Sequence, residues 1–153
     1  KDLLAMFSPR AKSRGIEINL EASKHAETRG VQSELRQVFA NLLTNSIDAV
    51  ALDGRIRIRV ADAREHGNPG DSGVRITIAD NGVGIDSANL RNIFEPFFTT
   101  KTDVGTGLGL WVSKEIVEKH QGSIKIRSST RPGRSGTIAC VFLPGEKKQA
   151  AVP

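Results

Sequence analysis

Polar side chains that could line a binding pocket recur one turn apart in residues 32–51. Gln37, Asn41, Asn45 and Asp48 fall within an arc of about 80° on a helix that turns about 100° per residue. Asparagine costs several tenths of a kcal/mol against alanine inside a helix, so a pair of them needs an explanation. Either this face is solvated, or it forms a pocket wall where an amide oxygen can bind a hard cation such as Mg²⁺.

A second candidate segment is DNGVG, residues 80–84, which directly follows a predicted strand. Its two glycines allow the backbone to turn and to approach a ligand closely. The Asp80 carboxylate, at the strand end, can accept hydrogen bonds from a donor on that ligand. Taken alone, the pattern is equally typical of a plain turn.

A third segment is GTGLGL, residues 105–110, which opens a predicted helix. Free backbone N–H groups at a glycine-rich helix start favour an anion, so the segment indicates phosphate binding. The spacing differs from the dinucleotide-binding GxGxxG pattern, and the GK[ST] ending of a Walker loop is missing.

Between the two glycine segments lies FEPFFTTK, residues 94–101. Its phenylalanines can anchor a mobile segment to a core, and Thr99, Thr100 and Lys101 can reach phosphates. A loop in this position is typical of a lid that orders on ligand binding.

Alternating apolar and polar residues predict the strands that position these segments, at 16–21, 55–61, 74–79, 123–129 and 137–143. Apolar residues spaced three and four apart predict long helices at 32–51 and 108–120. A short helix is predicted at 86–92, and a helix end or linker at 2–7, broken by Ser8-Pro9. The pattern favours a two-layer α/β (α+β) sandwich.

The composition limits the class of protein. The chain has 153 residues, 38% of them hydrophobic and 25% charged, which is typical of one folded domain. No apolar run approaches the ~18 residues that a membrane span needs. A lone cysteine, Cys140, excludes an intramolecular disulfide and favours a reducing compartment.

The formal charge of +5 makes an anionic partner plausible. Several arginines occupy the phase of their strands that faces away from the core: Arg55, Arg57, Arg59, Arg75 and Arg127. The favoured interpretation is a solvated sheet face, with pairing to Glu17 and Glu21. A nucleic-acid surface is the weaker alternative, because the face lacks interleaved aromatic residues.

The order and spacing of four motifs closely resemble the catalytic, ATP-binding domain of sensor histidine kinases, in the GHKL ATPase superfamily. The N box is QVFANLLTNSIDA, 37–49, and the first glycine box is DNGVG, 80–84. The F box is FEPFFTTK, 94–101, and the second glycine box is GTGLGL, 105–110. The closing pattern GTIACVFLP, 136–144, also fits. The match runs from about Ile16 to Pro144.

The resemblance implies a mixed sheet of about five strands, covered on one face by three helices, with ATP between the helices and a lid. It implies that Asp80 accepts the adenine amino group, with support from Thr137 through water. It implies that Asn45 binds Mg²⁺ and that Asn41 positions the phosphates or the waters of the metal. The other implied ATP-binding residues are Gly82, Gly84, Thr100, Lys101, Gly105, Thr106, Gly107, Leu108 and Gly109. Lys101 would neutralise phosphate charge, and Asn41 and Lys101 are the implied catalytic residues; Asp48 matches the pattern without an assigned role.

The implied activity is transfer of the γ-phosphoryl group of Mg-ATP to a histidine, mostly by positioning and charge neutralisation. In the family that histidine lies on a dimerisation hairpin that precedes the ATP domain. None of His25, His66 and His120 sits in an acceptor motif, and a surface role is expected for each. We therefore expect a fragment that binds ATP without labelling itself.

The expected domain layout is the end of a linker or hairpin at 1–13, the ATP-binding domain at 14–145 and a disordered tail at 146–153. Expected partners are the histidine-bearing domain and, indirectly, a response regulator, without nucleic acid or direct membrane contact. We expect a cytoplasmic location and leave open whether a longer protein is anchored in a membrane.

Two features depart from the family pattern, and a third residue is unusual. Val31 stands where the family often has an acidic helix cap, and Ser33 is expected to replace it. The lid TDV, 102–104, is short, so we expect it to be ordered without nucleotide. Trp111 is unusual, and packing at the rim of the site is favoured over contact with the lid or the hairpin.

Other classes remain alternatives. A GHKL ATPase that hydrolyses ATP would carry a glutamate base where Asn41 stands, and asparagine cannot act as a base. An anti-sigma-type serine kinase is disfavoured by the F box. A non-enzymatic nucleotide-binding interaction module is disfavoured by the intact asparagines, aspartate and glycines.

Overall fold

Eight helices and strands form two layers in the computed structural model, which describes residues 2–64, 72–100 and 105–145. The helices are α1 (Asp2–Lys12), α2 (Gln32–Ala49) and α3 (Gly109–Lys119). The strands are β1 (Glu17–Ala22), β2 (Arg55–Arg64), β3 (Ser72–Asp80), β4 (Ser123–Ser129) and β5 (Gly136–Pro144). Within these residues, no helix is long and apolar enough to cross a membrane.

The five strands form one mixed sheet in the order β1-β2-β3-β5-β4. β1 runs parallel to β2, and the other neighbouring strands are antiparallel. In β3 and β5, Asp80 is paired with Thr137, so the end of β3 meets the start of β5. That register places the first glycine box beside the closing motif.

The core lies between the sheet and the helix layer. α2 contributes Val38, Leu42, Leu43 and Ile47, and β3 contributes alternate residues from Val74 to Ile78. Complete burial of each such aliphatic side chain stabilises the fold by about 1.5–3 kcal/mol. This apolar stripe fixes the rotation of α2 about its axis and so determines where its polar side chains lie. The expected fold class is confirmed, and the strand and long-helix predictions agree with the structure to within three residues at each end.

The prediction that Ser8-Pro9 breaks the first helix is wrong, because α1 continues through Pro9 to Lys12. The proline forgoes one backbone hydrogen bond, but Leu4 and Phe7 pack against the core and Ala11 is fully buried in it. This apolar packing offsets a local cost of about 3 kcal/mol. The assignment of residues 1–13 to a linker or hairpin stays a prediction.

The prediction of a short helix at 86–92 is also wrong. The segment forms successive turns, in which the N–H groups of Asn89, Asn92 and Glu95 each donate to the carbonyl three residues earlier. Asp86 Oδ1 accepts from the Ala88 N–H at 2.8 Å. Short polar side chains compete in this way with helical backbone bonds.

The start of α2 is capped differently from the prediction. Ser33 does not cap it: the N-cap residue is Val31, without a side-chain cap hydrogen bond. Instead, the Val31 N–H donates to His120 Nε2 at 3.0 Å, while His120 Nδ1 lies 2.8 Å from the Ile116 carbonyl. The His120 side chain is only 8% exposed, so the expected surface role is wrong for this histidine. His25 is exposed as expected, and His66 lies outside the described residues.

Candidate functional site

The carboxylate of Asp80 lies at the carboxyl end of β3 and is held by three donors. Oδ1 accepts the N–H groups of Gly82 at 3.0 Å and Thr137 at 3.1 Å. Oδ2 accepts the hydroxyl of Ser46 at 3.0 Å. Burial raises the pKa of the Asp80 carboxyl, and these hydrogen bonds offset part of the rise. The arrangement leaves Oδ2 able to accept one further hydrogen bond from a ligand.

Ser46 connects this carboxylate to α2. It is 6% exposed and directly follows Asn45, which is half-buried. One turn earlier, the Nδ2 group of Asn41 donates to the Gly109 carbonyl at 3.0 Å and to Ser113 Oγ at 3.3 Å. Both protons of that amide are therefore used, and only the Asn41 amide oxygen remains for a ligand.

The first glycine box passes close to α2 and to β4. Val83 donates its N–H to the Ala49 carbonyl at 3.0 Å, and a side chain at Gly82 would overlap the Ala49 backbone. Gly84 has φ +79°, and a side chain there would overlap the Ser129 carbonyl. Gly82 is required by the close approach to Ala49. Gly84 is required by the close approach to Ser129 and by its φ, which L-residues rarely adopt. The first glycine box thus lies between the end of α2 and β4. The region bounded by this box, α2, the start of α3 and the start of β5 is called the cleft below.

The second glycine box leads into α3. Gly107 has φ +67°, and a side chain there would lie 2.6 Å from the Phe97 carbonyl oxygen. Thr106 Oγ1 is 3.4 Å from the Leu108 N–H, and Leu108, the N-cap residue, makes no side-chain cap hydrogen bond. Backbone N–H groups at such a helix start attract anions.

The F box divides between buried and exposed aromatic rings. Phe94 and Phe98 are half-buried, and Lys114 Nζ lies 5.9 Å from the centre of the Phe94 ring. Phe97 is 74% exposed and has φ 66°. Thr100 is exposed at the end of this described range. Lys101 and the lid residues 102–104 lie outside the described residues, as does the tail at 146–153.

Thr137, which is expected to support Asp80 in binding adenine, belongs to a hydroxyl network. Its Oγ1 lies 2.8 Å from Ser128 Oγ, and Ser128 Oγ donates to the Gly136 carbonyl at 2.8 Å. The Ile85 N–H donates to the same Ser128 oxygen at 2.8 Å. The network joins β4, β5 and the first glycine box next to Asp80.

Sequence reasoning missed three serines in this region: Ser46, Ser113 and Ser128. A signal for them exists, because each occupies a position that the periodicity assigns to the core. Ser46 lies between Leu42 and Val50 on the buried stripe of α2, and Ser128 continues the phase of Ile124 and Ile126 in β4. A hydroxyl at a core position needs a partner, and each of these serines finds one beside the cleft.

On the opposite face of the sheet, the register sets Arg55 beside Glu17 and Arg59 beside Glu21. Among the described residues these neighbours form no ion pair within 4 Å, and all four side chains are exposed. The pairing expected for this face is therefore wrong as a set of direct contacts. The solvated-face interpretation itself stays a prediction.

The fold is a mixed sheet covered by three helices. Its site combines a carboxylate at the end of β3 with one glycine segment beside α2 and another at the start of α3. Together these features define a nucleotide-binding α/β sandwich. Residues 30–147 match the family of histidine kinase-, DNA gyrase B- and HSP90-like ATPases. The chain belongs to this family.

Curated relatives point to one branch of the family. The chain is 35% identical over 147 residues to the sensor histidine kinase ZraS of Klebsiella oxytoca, covering 95% of this chain and 30% of ZraS. It is 42% identical over 108 residues to the signal transduction histidine-protein kinase AtoS of Escherichia coli, covering 71% of this chain and 16% of AtoS. The chain thus spans less than a third of the length of these relatives.

Solved structures agree with this placement. The catalytic domain of the histidine kinase ThkA superposes with a TM-score of 0.77 at 27% identity, covering 94% of this chain and 88% of that one. The mycobacterial sensor histidine kinase MprB gives a TM-score of 0.76 at 26% identity, covering 95% and 93%. The resemblance to histidine kinase catalytic domains is confirmed.

Proposed function

We propose that the chain is the ATP-binding catalytic domain of a two-component sensor histidine kinase, which binds Mg-ATP and transfers its γ-phosphoryl group to a histidine outside this chain. The observation that carries the proposal is the Asp80 carboxylate, held by Gly82, Thr137 and Ser46 with acceptor capacity to spare. A half-buried acceptor of this kind suits the exocyclic amino group of adenine.

The phosphates would lie between α2 and the start of α3. Gly105, Thr106, Gly107, Leu108 and Gly109 would offer backbone N–H groups there. Asn41 supports this end from below, since its amide nitrogen ties α2 to the Gly109 carbonyl. Thr100 and Lys101 would add polar and cationic contacts from the F box.

A magnesium ion would depend on the nucleotide for most of its ligands. The described residues contain no group of three or more His, Cys, Asp or Glu side chains that could hold a metal ion. Asn45 offers an amide oxygen, which suits a hard cation that keeps waters and binds substrate phosphates. The residues present therefore fit Mg²⁺ as the Mg-ATP complex, in which it would neutralise phosphate charge.

In the transfer, the bond between the γ-phosphorus and the β–γ bridging oxygen breaks, and a bond forms to a histidine nitrogen. ADP leaves with the bridging oxygen and its electron pair. The histidines described in this chain do not fit as acceptors. His120 is enclosed at the start of α2, and His25 lines a groove with Ser72 at the other end of β3. Ser72 and Asp80 are eight residue steps apart along β3, which puts that groove about 26 Å from the carboxylate.

Hydrolysis is the second candidate activity, and the contacts of Asn41 disfavour it. That position would have to hold a general base, yet its nitrogen donates to Gly109 and Ser113 and its amide has no titratable oxygen. We therefore expect slow turnover in water and efficient transfer to a presented histidine. A dimerisation domain of the same kinase and, indirectly, a response regulator are the proposed partners, with a cytoplasmic location.

Titration calorimetry with Mg-ATP tests the binding step. We expect saturable binding to the unmodified domain and at least about a hundredfold loss in Asp80→Asn, because the amide presents a donor where the amino group needs an acceptor. Asp86→Asn is the matched control, since Asp86 follows the same glycine box and its side chain accepts only the Ala88 N–H among the described contacts. Absence of binding to the unmodified domain would overturn the proposal.

Labelling with γ-³²P-ATP tests the transfer step. The domain alone should stay unlabelled, and a supplied histidine-bearing dimerisation domain should gain acid-labile, base-stable phosphate. Stable acid-labile phosphate on the domain alone would contradict an acceptor outside the chain. Rapid phosphate release without an acceptor would favour the hydrolytic alternative.

A further inference from the structure

The hydroxyl of Ser128 lies where β4, β5 and the segment after Gly84 meet. It accepts the Ile85 N–H, it lies 2.8 Å from the Gly136 carbonyl oxygen, and it lies 2.8 Å from Thr137 Oγ1. A serine hydroxyl can donate one hydrogen bond and accept two, so these three contacts use its full capacity.

The three contacts leave only one arrangement of the protons. A carbonyl oxygen carries no proton, so the contact with Gly136 is a hydrogen bond only if Ser128 donates to it. The proton in the contact between the two hydroxyls must then come from Thr137. Thr137 therefore has no hydroxyl proton left for a ligand and offers lone pairs only.

Asp80 and Ser46, next to Thr137, also present hydrogen-bond acceptors to a ligand. The Thr137 N–H donates to Asp80 Oδ1, so the two residues are adjacent, and the ionised carboxylate of Asp80 can only accept. The Ser46 hydroxyl donates its proton to Asp80 Oδ2. The side chains at this end of the cleft thus present acceptors, and a ligand that places an acceptor against them loses binding free energy.

We propose that Ser128 is a positioning residue that fixes the Thr137 hydroxyl proton and thereby sets the selectivity of the cleft for a 6-aminopurine over a 6-oxopurine. The inference rests on the proposed ATP site and names how that site discriminates between bases. An amino group donates to Thr137 directly, or to a bridging water that itself donates to Thr137. A carbonyl oxygen at the same position faces acceptors.

The test compares Mg-ATP with Mg-ITP, which carries a carbonyl oxygen in place of the 6-amino group, by titration calorimetry. In Ser128→Ala the Thr137 hydroxyl can turn and donate to the ligand, so we expect the preference for ATP to fall by about threefold to tenfold, the size of one net hydrogen bond. Ser129→Ala is the matched control. The Ser129 hydroxyl, on the next residue of β4, accepts only the Arg131 N–H among the described contacts, and its loss should leave the preference unchanged.

A double variant separates positioning from mere support of the fold. Thr137→Val alone should also lower the preference for ATP, and adding Ser128→Ala to it should lower it no further, because the effect passes through the Thr137 hydroxyl. Ser128→Thr, which keeps a hydroxyl, should retain the preference for ATP. Ser128→Cys, which keeps the volume but hydrogen-bonds weakly, replaces Ser128→Ala if alanine impairs folding.

The outcomes separate the two proposals. If the unmodified domain binds ATP but Ser128→Ala and Ser128→Cys weaken ATP and ITP equally, Ser128 only supports the fold and the inference is wrong. If the unmodified domain binds neither nucleotide, the proposed function itself is wrong.

Discussion

The two ends of the cleft are built in different ways. One end would hold the nucleobase and is called the base end. Hydrogen bonds among side chains and backbone hold four residues in place there: Asp80, Ser46, Thr137 and Ser128. At the end that would hold the phosphates, called the phosphate end, α3 begins at Gly109 and its N-cap residue, Leu108, makes no side-chain cap hydrogen bond. Among the described residues, the Leu108 N–H has one contact, with Thr106 Oγ1 at 3.4 Å.

This difference separates specificity from charge binding. Side chains that a sheet and a buried helix hold in place can discriminate between bases, because the cost of ordering them is already met in folding. Backbone N–H groups at an open helix start can adapt to phosphates that carry most of the charge. We therefore expect changes at the phosphate end to weaken the binding of a nucleotide more as its number of phosphates increases. Changes at the base end should weaken the binding of every adenine compound.

Gly107→Ala gives the largest expected effect among tests of this comparison. The new methyl group would overlap the Phe97 backbone, and its φ of +67° disfavours any L-side chain. The second glycine box must shift, so we expect Mg-ATP affinity to fall at least about tenfold, or about 1.4 kcal/mol. Adenosine, which lacks phosphates, should bind as before, measured by calorimetry or ligand-observed NMR.

Gly133→Ala is the control for backbone strain alone. Gly133 has φ +74°, and nothing lies within 4 Å of an added methyl group. It should lower the free energy of unfolding by about 1 kcal/mol and leave both affinities unchanged. Equal losses of adenosine and ATP binding in Gly107→Ala would show that the two ends are coupled.

Sequence periodicity could predict the five strands and two long helices because each carries an apolar face that only one arrangement buries. The failures have local causes. The Ser8-Pro9 pattern predicts a helix end, but packing of Phe7 and Ala11 outweighs the lost hydrogen bond. Residues 86–92 have helical spacing, but the Asp86 side chain satisfies a turn instead.

The site could be predicted less completely than the fold. The asparagines stand out because asparagine is costly inside a helix, and Asp80 stands out only together with the glycine segment that follows it. Ser128 and Ser46 do not, because a serine at a core position is interpretable only when its partners are known. Those partners lie on other elements: β5 and the segment after Gly84 for Ser128, and β3 for Ser46. The cap on α2 was missed for the same reason, since His120 lies 89 positions from Val31.

The base end also predicts a pH-dependent stability. Burial raises the Asp80 pKa above its value in the unfolded chain, so the folded state binds this proton more tightly. Ionised Asp80 therefore costs stability, and that cost appears as pH rises above 3.8 and is complete above the raised pKa. Relative to the unmodified domain, Asp80→Asn should gain stability from pH 3.8 towards 7, measured by urea unfolding without nucleotide. A difference between the two proteins that stays constant over this range would contradict the prediction.

The smallest expected effect lies at the start of α2, away from both ends of the cleft. His120→Ala removes the acceptor for the Val31 N–H and should cost about 1 kcal/mol, the usual value of a helix cap. For a domain of this size, that lowers the Tm by roughly 2–4 °C. The affinities for ATP and adenosine should not change, because Asn41 and Asp80 keep their contacts. His25→Ala, an exposed histidine, is the control and should leave the Tm unchanged. A loss of ATP affinity in His120→Ala would mean that the cap at one end of α2 controls the position of Asn41, and the two-end description of the cleft would then need a third, coupled region.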